Sequence, residues 1–206
     1  MVQPLGYIKE SPSQTAGPYV HIGTTPNFVG IHGVFGKDLW SGPLYTEETK
    51  GERITIRGTV IDGSGTPLRD ALVEIWQADA EGLYNSPGET RGQADPSFLG
   101  WGRCPADMGS GEFVFETIKP GCVPFKDGRP MAPHITVWIV ARGINIGLHT
   151  RMYFPEEDAA NAADPVLGRI ELKNRIPTLI AARQADGSYR FDIHLQGPHE
   201  TVFFDI

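Results

Sequence analysis

From residue 53 onward the chain alternates. In "RITIRGTVID", Ile54, Ile56 and Val60 fall on one side and Arg53, Thr55 and Arg57 on the other. That is the period-two pattern of a strand with one buried face. "ALVEIWQA", "EFVFETI", "HITVWIVARG", "LHTRMYF", "YRFDIHLQG" and "ETVFFDI" carry similar strand signals, most of them bounded by Gly, Pro or Asp. Helical signals are confined to two places. "PEEDAANAA" has Pro and two acids in its first turn, and "RIPTLIAARQ" is long enough for about two turns. About seven short strands with turn punctuation predict an all-β chain, an antiparallel β-sandwich core with one or two short helices.

Residues 1–50 read differently. "ESPSQTAGPYVHIGTTPNFVGIHGVFG" has little periodicity and many breakers, yet its Tyr, Val, Ile and Phe content is too apolar for plain disorder. The division expected is an extended N-terminal arm, 1–50, docked on its own domain or on a partner, and a sandwich domain, 51–206.

Composition narrows the function. A chain of 206 residues suits one domain with a sizeable core. Net charge is −7 and the 18 Lys and Arg are scattered, which argues against nucleic acid and anionic membranes as partners. Cys104 and Cys122 are compatible with one disulfide or with two free thiols, and a reducing compartment favours the thiols. No secretory signal pattern opens the sequence, and the expected location is the cytoplasm. Phosphate-binding and dinucleotide-binding glycine motifs and the Gly-x-Ser-x-Gly elbow are absent.

The six histidines, 21, 32, 134, 149, 194 and 199, are dispersed, without the paired spacing of a self-sufficient zinc site. His134 and Thr136 sit two apart in a buried-strand pattern, so their side chains share a face. Taken alone, His134 reads as a core histidine, an intact metal ligand or the survivor of a lost site.

The stretch "IRGTVIDGSGTPLRDALVEIWQADAEGLY", 56–84, resembles the signature region of the intradiol ring-cleaving dioxygenases. "GWGRC", "GEFVFETIKPGCVPF" and "RFDIHLQG" extend the resemblance along the chain from residue 50. That family opens catechols with O2 at an iron(III) held by two tyrosinates and two histidines. Hard anionic phenolates suit a trivalent cation, and neutral imidazoles complete its shell. Carried over, the four ligand positions here are Tyr84, Val123, His134 and Thr136. Two survive; Val123 has no donor atom and Thr136 offers a neutral hydroxyl. The family also places an arginine where Met131 stands, and the nearest, Arg129, lies two positions too early.

The resemblance therefore implies no catalytic residue and no metal in this chain. It implies instead a non-catalytic subunit of a cytoplasmic hetero-oligomer, whose homologous iron-binding beta-type partner holds Fe(III) and acts on an aromatic dihydroxy acid with O2. By the same resemblance Thr15, Gly17 and Pro18 line the partner's substrate pocket and Arg142 lies beside it. Other readings are an independent enzyme recruiting His149, His194 or an acid, and a stand-alone binding module.

Overall fold

The computed structural model describes residues 14–17, 19–37, 41–145 and 147–205. Two sheets face each other. In the first, β1 (Arg53–Ile61) pairs antiparallel with β4 (Glu112–Ile118) and parallel with β10 (Tyr189–Arg190) and β11 (Ile193–His194), with β9 (Ala182–Arg183) beside β10. The second runs β3 (Trp101–Pro105), β2 (Leu72–Trp76), β7 (His134–Val140), β8 (Leu148–Tyr153), all antiparallel. A small ribbon joins β5 (Val123–Pro124) to β6 (Pro130–Met131). The all-β sandwich read from the sequence is what forms, with a mixed first sheet because β10 and β11 run parallel to β1.

The core follows from the alternation. Ile54, Ile56 and Val60 of β1 point inward to meet Val73 and Ile75 of β2 and Ile135, Val137 and Ile139 of β7. Fully burying a side chain of this size contributes roughly 1.5–3 kcal/mol, so this shared cluster is what joins the layers. Gly58 lets the β10–β11 segment close on β1: a Cβ there would lie 2.0 Å from the carbonyl oxygen of Phe191.

Because side chains alternate, the even-numbered residues of β7 face away from the core. Register then lays two rows across the outer face of the second sheet. One reads Trp101, Trp76, Thr136, Arg151; the other reads Arg103, Glu74, Trp138, His149. Beyond the first row His134 pairs with Tyr153. Helix α2 (Asp158–Ala163) and the 3-10 turns Leu167–Arg169 and Lys173–Leu179 fall in the two predicted helical segments or between them. Leu167 and Leu179 pack against Tyr153 and Ala132, covering the His134 end of this face.

Two expectations need correction. "ETVFFDI" forms no strand among the described residues, only a bridge between Phe204 and His149. Several of its backbone groups go to side chains instead: Val202 donates to Thr178 Oγ1 and accepts from Thr150 Oγ1, and Thr201 accepts from Arg175, while the Thr201 and Phe204 N–H groups donate to the His194 and His149 carbonyls. Conversely "GWGRC", not read as a strand, supplies β3, where Gly102 has no side chain to clash with Leu44.

The arm's described part packs on the sandwich rather than standing free. In α1 (Val20–Thr24), His21 is buried, with Nε2 donating to the Asp70 carbonyl at 3.1 Å and Nδ1 sharing 3.2 Å with Thr25 Oγ1. No described helix is long and apolar enough to cross a membrane.

Candidate functional site

The four positions that the resemblance assigns to iron ligands are brought together by three separate devices. Tyr84 ends a loop organised by the buried carboxylate of Asp79, which accepts the backbone N–H groups of Glu81, Leu83 and Asp95 at 2.9 Å each. Gly82, in the left-handed region at φ 80°, lets this loop touch the Val123 segment: a Cβ there would lie 2.0 Å from the Cys122 carbonyl oxygen. The Asp79 carbonyl also accepts the N–H of Gly121 at 2.8 Å. His134 and Thr136 arrive on β7, next to Trp76, whose indole stacks on the Tyr84 ring at 5.7 Å and 2°.

What converges is a mixed set of groups rather than four donors. Val123 is buried in an apolar cluster with Ala78 and Met131, against which Tyr84 and Phe125 pack. Val123 and Met131, which stand where the resemblance expects a ligand and an arginine, are themselves partners in the β5–β6 register. Burial pushes the Tyr84 phenol above its ordinary pKa, against the pull of Arg151 and Arg91. His134 is 4% exposed and its Nδ1 donates to the Ala132 carbonyl at 2.8 Å. Burial first, and the nearby Arg151 second, depress its pKa to about 4, so at neutral pH the ring is uncharged.

Arg151 was not anticipated. Cross-strand from Thr136, it sends Nη1 to Met131 Sδ at 3.4 Å and acts electrostatically on Tyr84 and His134. The signal that would have found it is register: in "LHTRMYF" only residues of Arg151's parity share the His134–Thr136 face. Asp164 orders the far side, accepting N–H groups from Ala132 at 2.8 Å, Val166 at 2.8 Å and Leu167 at 2.9 Å.

Iron(III) does not fit this set. One neutral phenol and one imidazole are the strong donors, an apolar side chain fills a third position, and a permanent guanidinium adds positive charge beside them. Among the described residues no group of three or more His, Cys, Asp or Glu is placed to hold a metal. Substitute ligands do not converge either. His149 lies on β8, whereas His194 sits on β11 in the first sheet, 6.1 Å from the His199 ring. Cys104 and Cys122 are both free thiols.

The pocket residues drawn from the resemblance form a second group. Thr15 Oγ1 donates to the Ala141 carbonyl at 3.2 Å and accepts the Gly143 N–H at 3.0 Å, so the arm is fastened on both sides of Arg142. Arg142 is exposed and ion-paired with Asp70, whose carbonyl also holds His21. A Cβ placed on Gly17 would meet nothing within 4 Å among the described residues, so no close approach to them demands glycine there. Pro18 lies outside the described residues.

Comparison with known proteins identifies the family. Residues 24–197 match the family model described as Dioxygenase. The protocatechuate 3,4-dioxygenase alpha chain of Pseudomonas putida is 46% identical over 205 residues, covering 98% of this chain and 99% of that one. The protocatechuate 3,4-dioxygenase beta chain of Burkholderia cepacia is 36% identical over 179 residues, covering 82% and 75%. Among solved structures, the dioxygenase domain of a dioxygenase carbohydrate-binding protein fusion from Streptomyces sp. SirexAA-E matches with a TM-score of 0.52 at 27% identity, covering 74% and 83%. The match from residue 24 to 197, borne on this sandwich and on the Trp76-to-Tyr84 signature, places the chain in the intradiol dioxygenase family.

Proposed function

We propose that this chain is the non-catalytic, pocket-forming alpha subunit of a cytoplasmic protocatechuate 3,4-dioxygenase. The complex adds both atoms of O2 to 3,4-dihydroxybenzoate, opening the ring between its hydroxyls to give 3-carboxy-cis,cis-muconate. The homologous beta subunit holds the iron(III). The observation that carries this reading is the donor set: Tyr84 and His134 persist, while Val123, Thr136 and Arg151 make the position unsuited to the metal. Near-complete coverage of an alpha chain at 46% identity supports the subunit type.

The arm supplies the second strand of support. Tyr19, Ile22, Ile31 and Val34 are large apolar side chains exposed in the chain by itself, at 76%, 43%, 38% and 57%. Four in one segment fit a surface that a partner covers. Thr15 and Arg142 share one edge, which is where the beta subunit's pocket would be walled. There Arg142 would exchange Asp70 for the substrate carboxylate, a bidentate pairing for which guanidinium is suited.

Co-expression with the homologous iron-binding partner tests the assignment. The complex is expected to be red-brown, from tyrosinate-to-iron charge transfer, and active, with iron in proportion to the partner. The chain purified alone should be colourless and inactive. Stoichiometric iron and the same colour in the isolated chain would overturn the assignment.

A further inference from the structure

Beside Thr136 the outer face of the second sheet opens into a cavity of about 640 Å3. That size is typical of small-molecule sites. Its polar floor comes from neighbouring strands: Thr136 of β7, and His149 and Arg151 of β8. Phe125 and Phe204 supply flat apolar wall, and Arg169 stands at the mouth.

The polar groups are unevenly satisfied. Arg175, also at the mouth, is tied to Glu200 at 2.8 Å. Arg151 meets Met131 Sδ and lies 6.0 Å from the Phe204 ring centroid; Arg169 lies 4.7 Å from that of Phe125. Neither has a carboxylate within ion-pair distance among the described residues. Glu171 and Asp205 border the cavity but are exposed to solvent. His149 Nδ1 is buried without a hydrogen-bond partner among the described residues. That atom lies behind the cavity wall, so the polar groups available to a ligand are Thr136 and the two arginines.

We propose that this cavity is a non-catalytic binding site for a small aromatic carboxylate. Its anion meets Arg151 and Arg169, and its ring lies against Phe125 and Phe204. Arg169, resting on the Phe125 face, keeps its N–H edge available for a planar carboxylate, and Arg151 adds a second cation, so charge and stacking select the same molecule. A ring hydroxyl then reaches Thr136. From the subunit assignment the proposal takes only that nothing is turned over here; the cavity itself stands on its own geometry.

Calorimetric titration of the full chain with 4-hydroxybenzoate tests it. Saturable one-to-one binding is expected, weakened about tenfold or more when 4-hydroxybenzamide replaces the acid, because the amide keeps the shape and loses the charge. Arg151→Met and the exposed Arg169→Gln should each weaken the acid and leave the amide nearly unchanged. The second variant keeps the test valid if the first fails to fold. No saturable binding, equal affinity for acid and amide, or an Arg169→Gln chain that discriminates between them as well as the parent does would overturn the proposal. Iron analysis of the same preparation judges the subunit assignment separately, since metal in the chain bears on that assignment and not on an affinity set by Arg169.

Discussion

Protonating His134 should destabilise this chain from inside. The ring is 4% exposed, donates through Nδ1 to Ala132, and shares its surroundings with the Arg151 cation. Its pKa is therefore about 4, against 6.5 for the free side chain. Below 6.5 the unfolded chain takes up a proton that the folded chain refuses until about pH 4. Stability is thus fully present above the unfolded value and is lost as pH falls toward the folded one. At about 1.4 kcal/mol per unit, the loss is about 2 kcal/mol between about pH 7 and about pH 4.5. Urea unfolding followed by tryptophan fluorescence across that range measures it, with His134→Gln as the reference. Gln keeps an N–H donor for the Ala132 carbonyl and does not titrate. Asp95 and Asp107, whose pKa values backbone hydrogen bonds hold below the ordinary carboxylate range, contribute only in more acid solution. The wild-type midpoint should fall steeply where the variant's stays level. Parallel pH profiles for the two proteins would refute the reasoning.

Glycine replacements separate strain from collision: Gly82→Ala should lower stability by about 2 kcal/mol or more, since left-handed φ is compounded by contact with the Cys122 carbonyl. Gly65→Ala, also left-handed but in open space, should lose only about 1 kcal/mol, and thermal melts compare them. Asp164→Ala leaves the N–H groups of Ala132, Val166 and Leu167 without their acceptor and should cost about 3 kcal/mol or more in urea unfolding. Glu81→Gln, which removes a 3.8 Å ion pair between two exposed side chains, should move the melting midpoint very little, within about 0.5 kcal/mol.

The parts of this molecule that sequence reasoning reached are those governed by short-range pattern. The alternation in β1 names its buried face directly, because a pleated strand has no other way to sort Ile from Arg. The resemblance singled out Tyr84, Val123, His134 and Thr136, and Asp79 and Gly82 show how their loops are joined. Arg151 was not legible, because its relation to Thr136 depends on β7–β8 register and not on proximity in the chain. The Thr201–Phe204 segment was misread because alternation does not reveal that Thr178, Thr150 and Arg175 take up several of its backbone groups. Parallel pairing escaped for a similar reason: β10 and β11 are two residues each, too short to announce a direction.

That parallel pairing sets an order of events during synthesis. Thr59 and Asp192, hydrogen-bonded at 3.0 Å, are 133 positions apart. At roughly 10 residues per second, about 13 s separate their emergence from the ribosome. The second sheet uses nothing beyond Tyr153, so a nascent chain can assemble it while one side of β1 is still open to pairing. An unpaired strand edge is where chains join wrongly. The interval before residue 189 emerges is therefore the stage at which chaperone protection should matter most for this protein.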